Sequence, residues 1–229
     1  MMCAAQAGAR GRRVLLIEHA AKLGERIRIS GGGRCNFTNR TVSAANFLSR
    51  NPHFCRSALA RFSERDFIAM VERGGIRYHE KTLGQLFCDG SSQEIIDLLR
   101  AACDDAGVQW AHPCTVESIL RACTPSPKFS LATDQGAFEC DSLVVACGGL
   151  ALPQIGATPF GYKIAEQFGV PVIAPKPALV PLALDPAVLG RLKGLSGVSI
   201  DAVARCANHP SFRENVLVTH RGLSGPAIL

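Results

Sequence analysis

An α/β fold built on a short parallel sheet is what the sequence predicts, on three observations. Residues 1–11 are small and mildly apolar, a helical pattern, and they run into a short apolar strand at 13–18 (Arg-Val-Leu-Leu-Ile-Glu) that ends on an acid. A second apolar run at 142–146 leads into Cys147-Gly148-Gly149, then Gly156 and Gly161, and then a helix over 162–168. Between them lie a long amphipathic helix and several segments that alternate with the period of antiparallel strands. Helix followed by short buried strand is the second half of a βαβ unit. In a Rossmann-like dinucleotide fold an acid about 20 residues beyond the glycine-rich turn takes the ribose hydroxyls, and Glu18 stands at that place. The strand and glycines belonging ahead of it would precede Met1, so the chain is expected to begin inside the first helix.

Composition narrows the class. With 229 residues, 47% hydrophobic and 19% charged, the chain can bury one large domain or one and a half smaller ones. No run approaches the roughly 18 apolar residues of a spanning helix, and residues 1–10 lack the basic segment, apolar core and cleavage site of an export signal. A soluble cytoplasmic protein without a membrane partner is expected. The ten cysteines have no regular spacing and no Cys-x-x-Cys, which argues for reduced thiols and no metal. The net charge of +6 is dispersed and aromatic residues make up 6%. That disfavours nucleic acid as the partner without removing it, and a small-molecule substrate is expected.

The segment at 29–39, Ile-Ser-Gly-Gly-Gly-Arg-Cys-Asn-Phe-Thr-Asn, is the least ordinary in the chain. Three successive glycines bare the backbone to an anion or a flat ring, and Arg34, Asn36, Thr38 and Asn39 add donors. A flexible surface loop is the alternative, though such loops more often carry Ser and Lys. The stretch after Glu18 reads as a polar loop, residues 46–74 as helical, 78–87 as short strands around a turn at Gly84, and 91–106 as a helix capped by serine and closed by Gly107. Residues 108–120, 129–131 and 136–140 alternate as antiparallel strands. Pro171, Pro175, Pro177, Pro181 and Pro186 make an element-free crossing. Beyond it, 189–203 and 212–219 read as strands and 222–228 as a turn opening a helix that the chain's end would cut. Two domains are expected, 1–178 and 179–229.

These residues carry a family resemblance. Leu15-Leu16-Ile17-Glu18, Lys22-Leu23-Gly24, the run from Ile29 to Asn39, Ala146-Cys147-Gly148-Gly149, Gly156-Ala157-Thr158-Pro159-Phe160-Gly161 and Thr219-His220-Arg221-Gly222-Leu223-Ser224-Gly225-Pro226 together resemble the BaiN-like bacterial NAD(P)/FAD-dependent oxidoreductases. The resemblance implies a flavoprotein: a Rossmann-like FAD-binding domain with an antiparallel β excursion, followed by the start of an inserted, mainly β domain. FAD would take hydride from NAD(P)H and pass it to an unsaturated organic acceptor. The implied cofactor-binding residues are Glu18, Lys22, Gly31, Gly32, Gly33, Arg34, Cys35, Asn36, Thr38, Val116, Ala146, Cys147, Gly148 and Gly149. The catalytic residues stay unassigned; His220 is either a structural histidine or a proton donor, and Cys35 either an activated thiol or an inert packed one. Two other functions stay open, a non-functional or partly folded fragment of such an enzyme and a flavoprotein acting on nucleic acid.

Overall fold

Two short parallel strands organise the N-terminal half: β1 (Leu15–Ile17) pairs with β5 (Gln109–Ala111), Leu15 opposite Gln109 and Ile17 opposite Ala111. The computed structural model describes residues 1–47, 49–122, 126, 128–207 and 211–229, and divides into two compact units, Met1–Val170 and Pro171–Leu229. The division falls within the proline crossing, earlier than residue 178.

In the first unit, α1 (Met2–Gly8) lies along α5 (Ser92–Asp105). The two approach closely because Gly8 has no side chain: a Cβ there would stand 2.4 Å from the Ala106 carbonyl oxygen. Ala5, Cys103 and Val108 are buried between them, against Val14, Leu16 and Trp110 of the strand pair. Helix α5 starts where the sequence requires. The Ser91 hydroxyl accepts from the Gln93 amide at 3.2 Å, and the Glu94 carboxylate accepts from the Ser91 amide at 3.0 Å. Its inward residues Ile95, Ile96, Leu99 and Cys103 repeat at helical spacing and are buried.

Residues 25–88 build a second layer. After α2 (Glu25–Ile29) comes β2 (Asn36–Asn39), then α3 (Arg56–Arg61) and α4 (Glu64–Arg73), then β3 (Tyr78–Glu80) and β4 (Gln85–Cys88), in a sheet of order β2-β4-β3. Its core joins Cys35, Val71, Ile76 and Cys88 to Ile95 and Leu99 of α5. Phe37 sets its ring edge-on to Phe67 and Tyr78, 5.9 and 5.4 Å between centroids. A meander of β6 (Val116–Arg121), β7 (Phe129–Thr133) and β8 (Gly136–Cys140) packs Ile119 and Leu131 on Ile164 of α6 (Phe160–Gln167).

Four readings of the sequence are corrected in this unit. The polar stretch after Glu18 holds α2, introduced by Gly24 in the left-handed region. The helical reading of 46–74 holds only for two shorter helices, α3 from Arg56 and α4, which Ser63 caps. The single strand read at 108–120 is two: β5 runs parallel to β1, and β6 antiparallel to β7. The run at 142–146 forms no strand, and Val144 and Val145 are 63% and 43% exposed. Apolar composition favours burial, but a strand also needs a neighbour for its ladder. No described strand pairs with this run.

The second unit is an antiparallel sheet of order β10-β11-β12-β9, from β9 (Leu182–Ala183), β10 (Ser199–Ala204), β11 (Phe212–Thr219) and β12 (Gly222–Ser224). The strand read from 189 onward begins as α7 (Pro186–Arg191). Asp185 caps that helix by accepting from the Ala187 amide at 2.9 Å, with Pro186 in the first turn. The expected helix at 222–228 is corrected too. β12 occupies its start, and a Cβ on Gly222 would meet the Leu182 carbonyl oxygen at 2.1 Å.

Candidate functional site

Glu18 sits where the parallel pair ends. Its amide donates to the Ala111 carbonyl at 3.1 Å and its carbonyl accepts from the Cys114 amide at 2.8 Å, so backbone bonds on both sides fix the residue. The side chain is 32% exposed, and Oε1 accepts from the Ala20 amide at 2.9 Å with His19 Nδ1 at 3.1 Å. His19 Nε2 reaches the Gly156 carbonyl at 2.9 Å, and Arg26 donates to the Ala151 carbonyl. The glycine-bearing loop at 151–156 is thereby tied to the chain that follows the acid.

The glycine run folds as a 3-10 turn in which Gly31, Gly32 and Gly33 all have positive φ, at 58°, 67° and 88°. Gly31 is packed shut: a Cβ would come within 2.6 Å of the Phe87 ring and 2.8 Å of the Asn36 nitrogen. Gly32 and Gly33 are open, with nothing within 4 Å of such an atom. One glycine therefore anchors the turn and two leave bare backbone facing outward. Arg34 and Asn36 are exposed beside them, and Thr38 is half-buried in β2 opposite Leu86.

The remaining expected positions lie apart from this turn. Val116 opens β6 and packs with Ile17 in one apolar cluster, which places it near the Glu18 end of β1. Lys22 is exposed on a groove shared with Arg28 and His112. Ala146, Cys147, Gly148 and Gly149 are exposed, and a Cβ on Gly161 of α6 would meet the Cys147 sulfur at 2.8 Å. Among the described residues no hydrogen bond joins the glycine turn to Glu18 or to 146–149, and no group of three His, Cys, Asp or Glu is placed to hold a metal. His220 is exposed in the β11–β12 turn. His19, Arg26 and Arg28 were missed by reading this stretch as loop; the signal was Glu25 in the first turn after Gly24, with arginines in the last.

Cys35 is 4% exposed and has φ of +52°, a conformation few side-chain-bearing residues adopt. Burial pushes its thiol above the ordinary range, and a hydrogen bond with Ser30 offsets part of that. Cys88 is pushed up to about 11, first by burial and then by neighbouring Cys35. The pair is thus packed and inert, with no activated nucleophile. In native protein near neutral pH, iodoacetamide is expected to label exposed Cys3, Cys147 and Cys206 and to spare Cys35, Cys88 and Cys103, as read by peptide mass spectrometry. Because folding raises the Cys88 value from 9.0 to about 11, the folded state holds the proton that the unfolded chain releases. Its contribution to stability is present below pH 9 and is lost as pH climbs toward 11.

The chain is 51% identical over 229 residues to "Ribosomal RNA dihydrouridine synthase" of Escherichia coli (strain K12), covering all of this chain and 56% of that protein. It is 44% identical over 230 residues to the protein of the same name from Haemophilus influenzae, covering all of this chain and 57% of that one. To "3-dehydro-bile acid delta(4,6)-reductase" of Clostridium scindens it is 27% identical, covering 93% of this chain and 52% of that protein. The chain therefore spans little more than half the length of these relatives. Residues 1–217 match the HI0933-like protein Rossmann domain, and the chain belongs to this family of FAD-type Rossmann proteins.

Proposed function

We propose that the complete protein is an FAD-dependent reductase that takes hydride from NAD(P)H and reduces a ring double bond conjugated to a carbonyl, the acceptor being a uracil of ribosomal RNA. The observation that carries this is the 51% identity, over every residue, to a relative named for making dihydrouridine in ribosomal RNA. Dihydrouridine is uridine with its ring double bond reduced. The more distant relative's name describes the same chemical class, an alkene conjugated to a ketone.

The residues present fit such a cofactor. Glu18 offers a part-exposed carboxylate at a strand end, Gly32 and Gly33 offer bare backbone, and Arg34 supplies a positive charge beside it. When bound, FAD carries the hydride. Glu18 would hold the ribose hydroxyls, the glycine turn would let a flat or phosphorylated group approach the main chain, and Arg34 would balance phosphate charge. Reduction of the alkene adds a hydride to the carbon distal to the carbonyl and a proton to the carbon beside it.

RNA as substrate draws support from exposed residues that composition had hidden. Phe47, Phe54 and Phe62 are 49%, 82% and 42% exposed, and Arg50, Arg56, Arg61 and Arg65 are exposed in the same part of the sequence. Exposed rings for base stacking and cations for phosphates are the usual equipment for single-stranded RNA. A small steroid-like acceptor is the second reading, favoured by the Clostridium relative. The full-length gene product is expected to purify with flavin that bleaches under NADH or NADPH, and to add two hydrogens to a uridine of unmodified ribosomal RNA, read by mass spectrometry of the RNA fragments. Turnover of a 3-oxo-4,6-diene steroid with no change in the RNA would give the second reading instead. A preparation that binds no flavin would overturn both.

A further inference from the structure

We infer that the groove between α2, the N-terminal half of α5 and the end of β5 is a binding site for a phosphate group, separate from the glycine turn and Glu18. The groove encloses about 380 Å³, room for a mononucleotide unit. It lies on the part of α5 not covered by α1, which packs on Ala102, Cys103 and Ala106.

Its walls are donor-rich. Arg28 spends one terminal nitrogen on the Gln93 side chain at 2.6 Å and the other on the Leu23 carbonyl at 3.1 Å, so the guanidinium is held rigidly. Its Nε is buried with no partner, and so is His112 Nε2. The two residues come from segments 84 positions apart (112 − 28) and line the same groove. Buried nitrogens without partners are costly, and an acceptor admitted to the groove would relieve that cost. Lys22 adds positive charge at the exposed rim, as does Arg100, which also faces Asp104 Oδ2 at 3.7 Å.

The acids nearby do not fill that need. Asp97 already accepts from the Gln93 amide nitrogen at 2.7 Å, and Asp104 accepts the Trp110 indole N–H at 2.8 Å. Trp110, its polar edge engaged, also lines the groove and offers an aromatic wall beside the phosphate. Rigid guanidinium, imidazole, two rim cations and an aromatic plate make up a site for a phosphate ester. Such an ester comes either from an RNA backbone, which rests on the function proposed above, or from a free nucleotide, which does not.

Trp110 is the chain's single tryptophan, so its indole resonance reports on the groove alone. The ¹⁵N-labelled protein is titrated with inorganic phosphate, AMP, a short oligouridylate and the uncharged methylphosphonate analogue of that oligomer. Saturable shifts of the indole signal are expected with the first three and none with the fourth. His112→Gln and Arg100→Ala are each expected to weaken phosphate binding, His112→Gln by roughly tenfold, as for a lost charge-assisted bond. Arg28→Lys should do the same. Because Arg28 also ties α2 to α5, its fold is checked by circular dichroism, and the two other variants carry the test if it unfolds. Saturation by phosphate and AMP with no tighter binding of oligouridylate upholds the site and assigns it to a free nucleotide, against RNA. No saturable shift with any probe, or shifts unchanged in His112→Gln, would overturn the site while leaving the flavin and RNA assays unaffected.

Discussion

Gly31→Ala is expected to be among the most damaging single-methyl changes in the chain, at about 2–5 kcal/mol of stability. About 1–2 kcal/mol follows from forcing a Cβ into the left-handed region, and about 1–3 kcal/mol from the collision with Phe87 and the Asn36 backbone. Phe87 is 7% exposed and belongs to the core strand β4, so it has little room to give. Gly32→Ala is the matched control. Its φ of +67° carries the same conformational cost with nothing nearby to strike, so about 1–2 kcal/mol is expected. Urea denaturation curves of the two variants give the difference directly. Equal losses would show that contact with Phe87 does not anchor the turn.

Glu18→Ala is expected to weaken FAD binding by the full-length protein about 10- to 100-fold, the worth of a charge-assisted hydrogen bond of about 1.5–3 kcal/mol to a ribose hydroxyl. Stability should change little, because the side chain is part exposed and its backbone bonds survive the substitution. Flavin fluorescence titration measures the affinity and circular dichroism checks the fold. Unaltered affinity in Glu18→Ala would remove the residue from the cofactor site.

The elements that were legible in the sequence are those whose local chemistry agrees with their surroundings. Helix α5 shows its serine cap, its apolar stripe and its terminal glycine within one short stretch, and it forms there. β11 alternates in burial over much of its length and has the expected bounds. Failures came where tertiary neighbours decide. The run at 142–146 has strand composition and no ladder partner among the described residues. Helix α7 followed an Asp-Pro start that apolar neighbours masked. At the site, the glycine run could be recognised as special, but not that Gly31 is closed while Gly32 and Gly33 are open, because Phe87 does this from 56 positions away (87 − 31). The exposed rings and arginines between Phe47 and Arg65 were invisible to bulk composition, since a low aromatic fraction says nothing about which residues reach solvent.

The His19 imidazole lies between the Glu18 carboxylate, 3.1 Å away, and the Gly156 carbonyl, 2.9 Å away. With Arg26 on the Ala151 carbonyl, it holds the loop at two points. A displacement of that loop is therefore carried through one ring to the acid at the end of the strand.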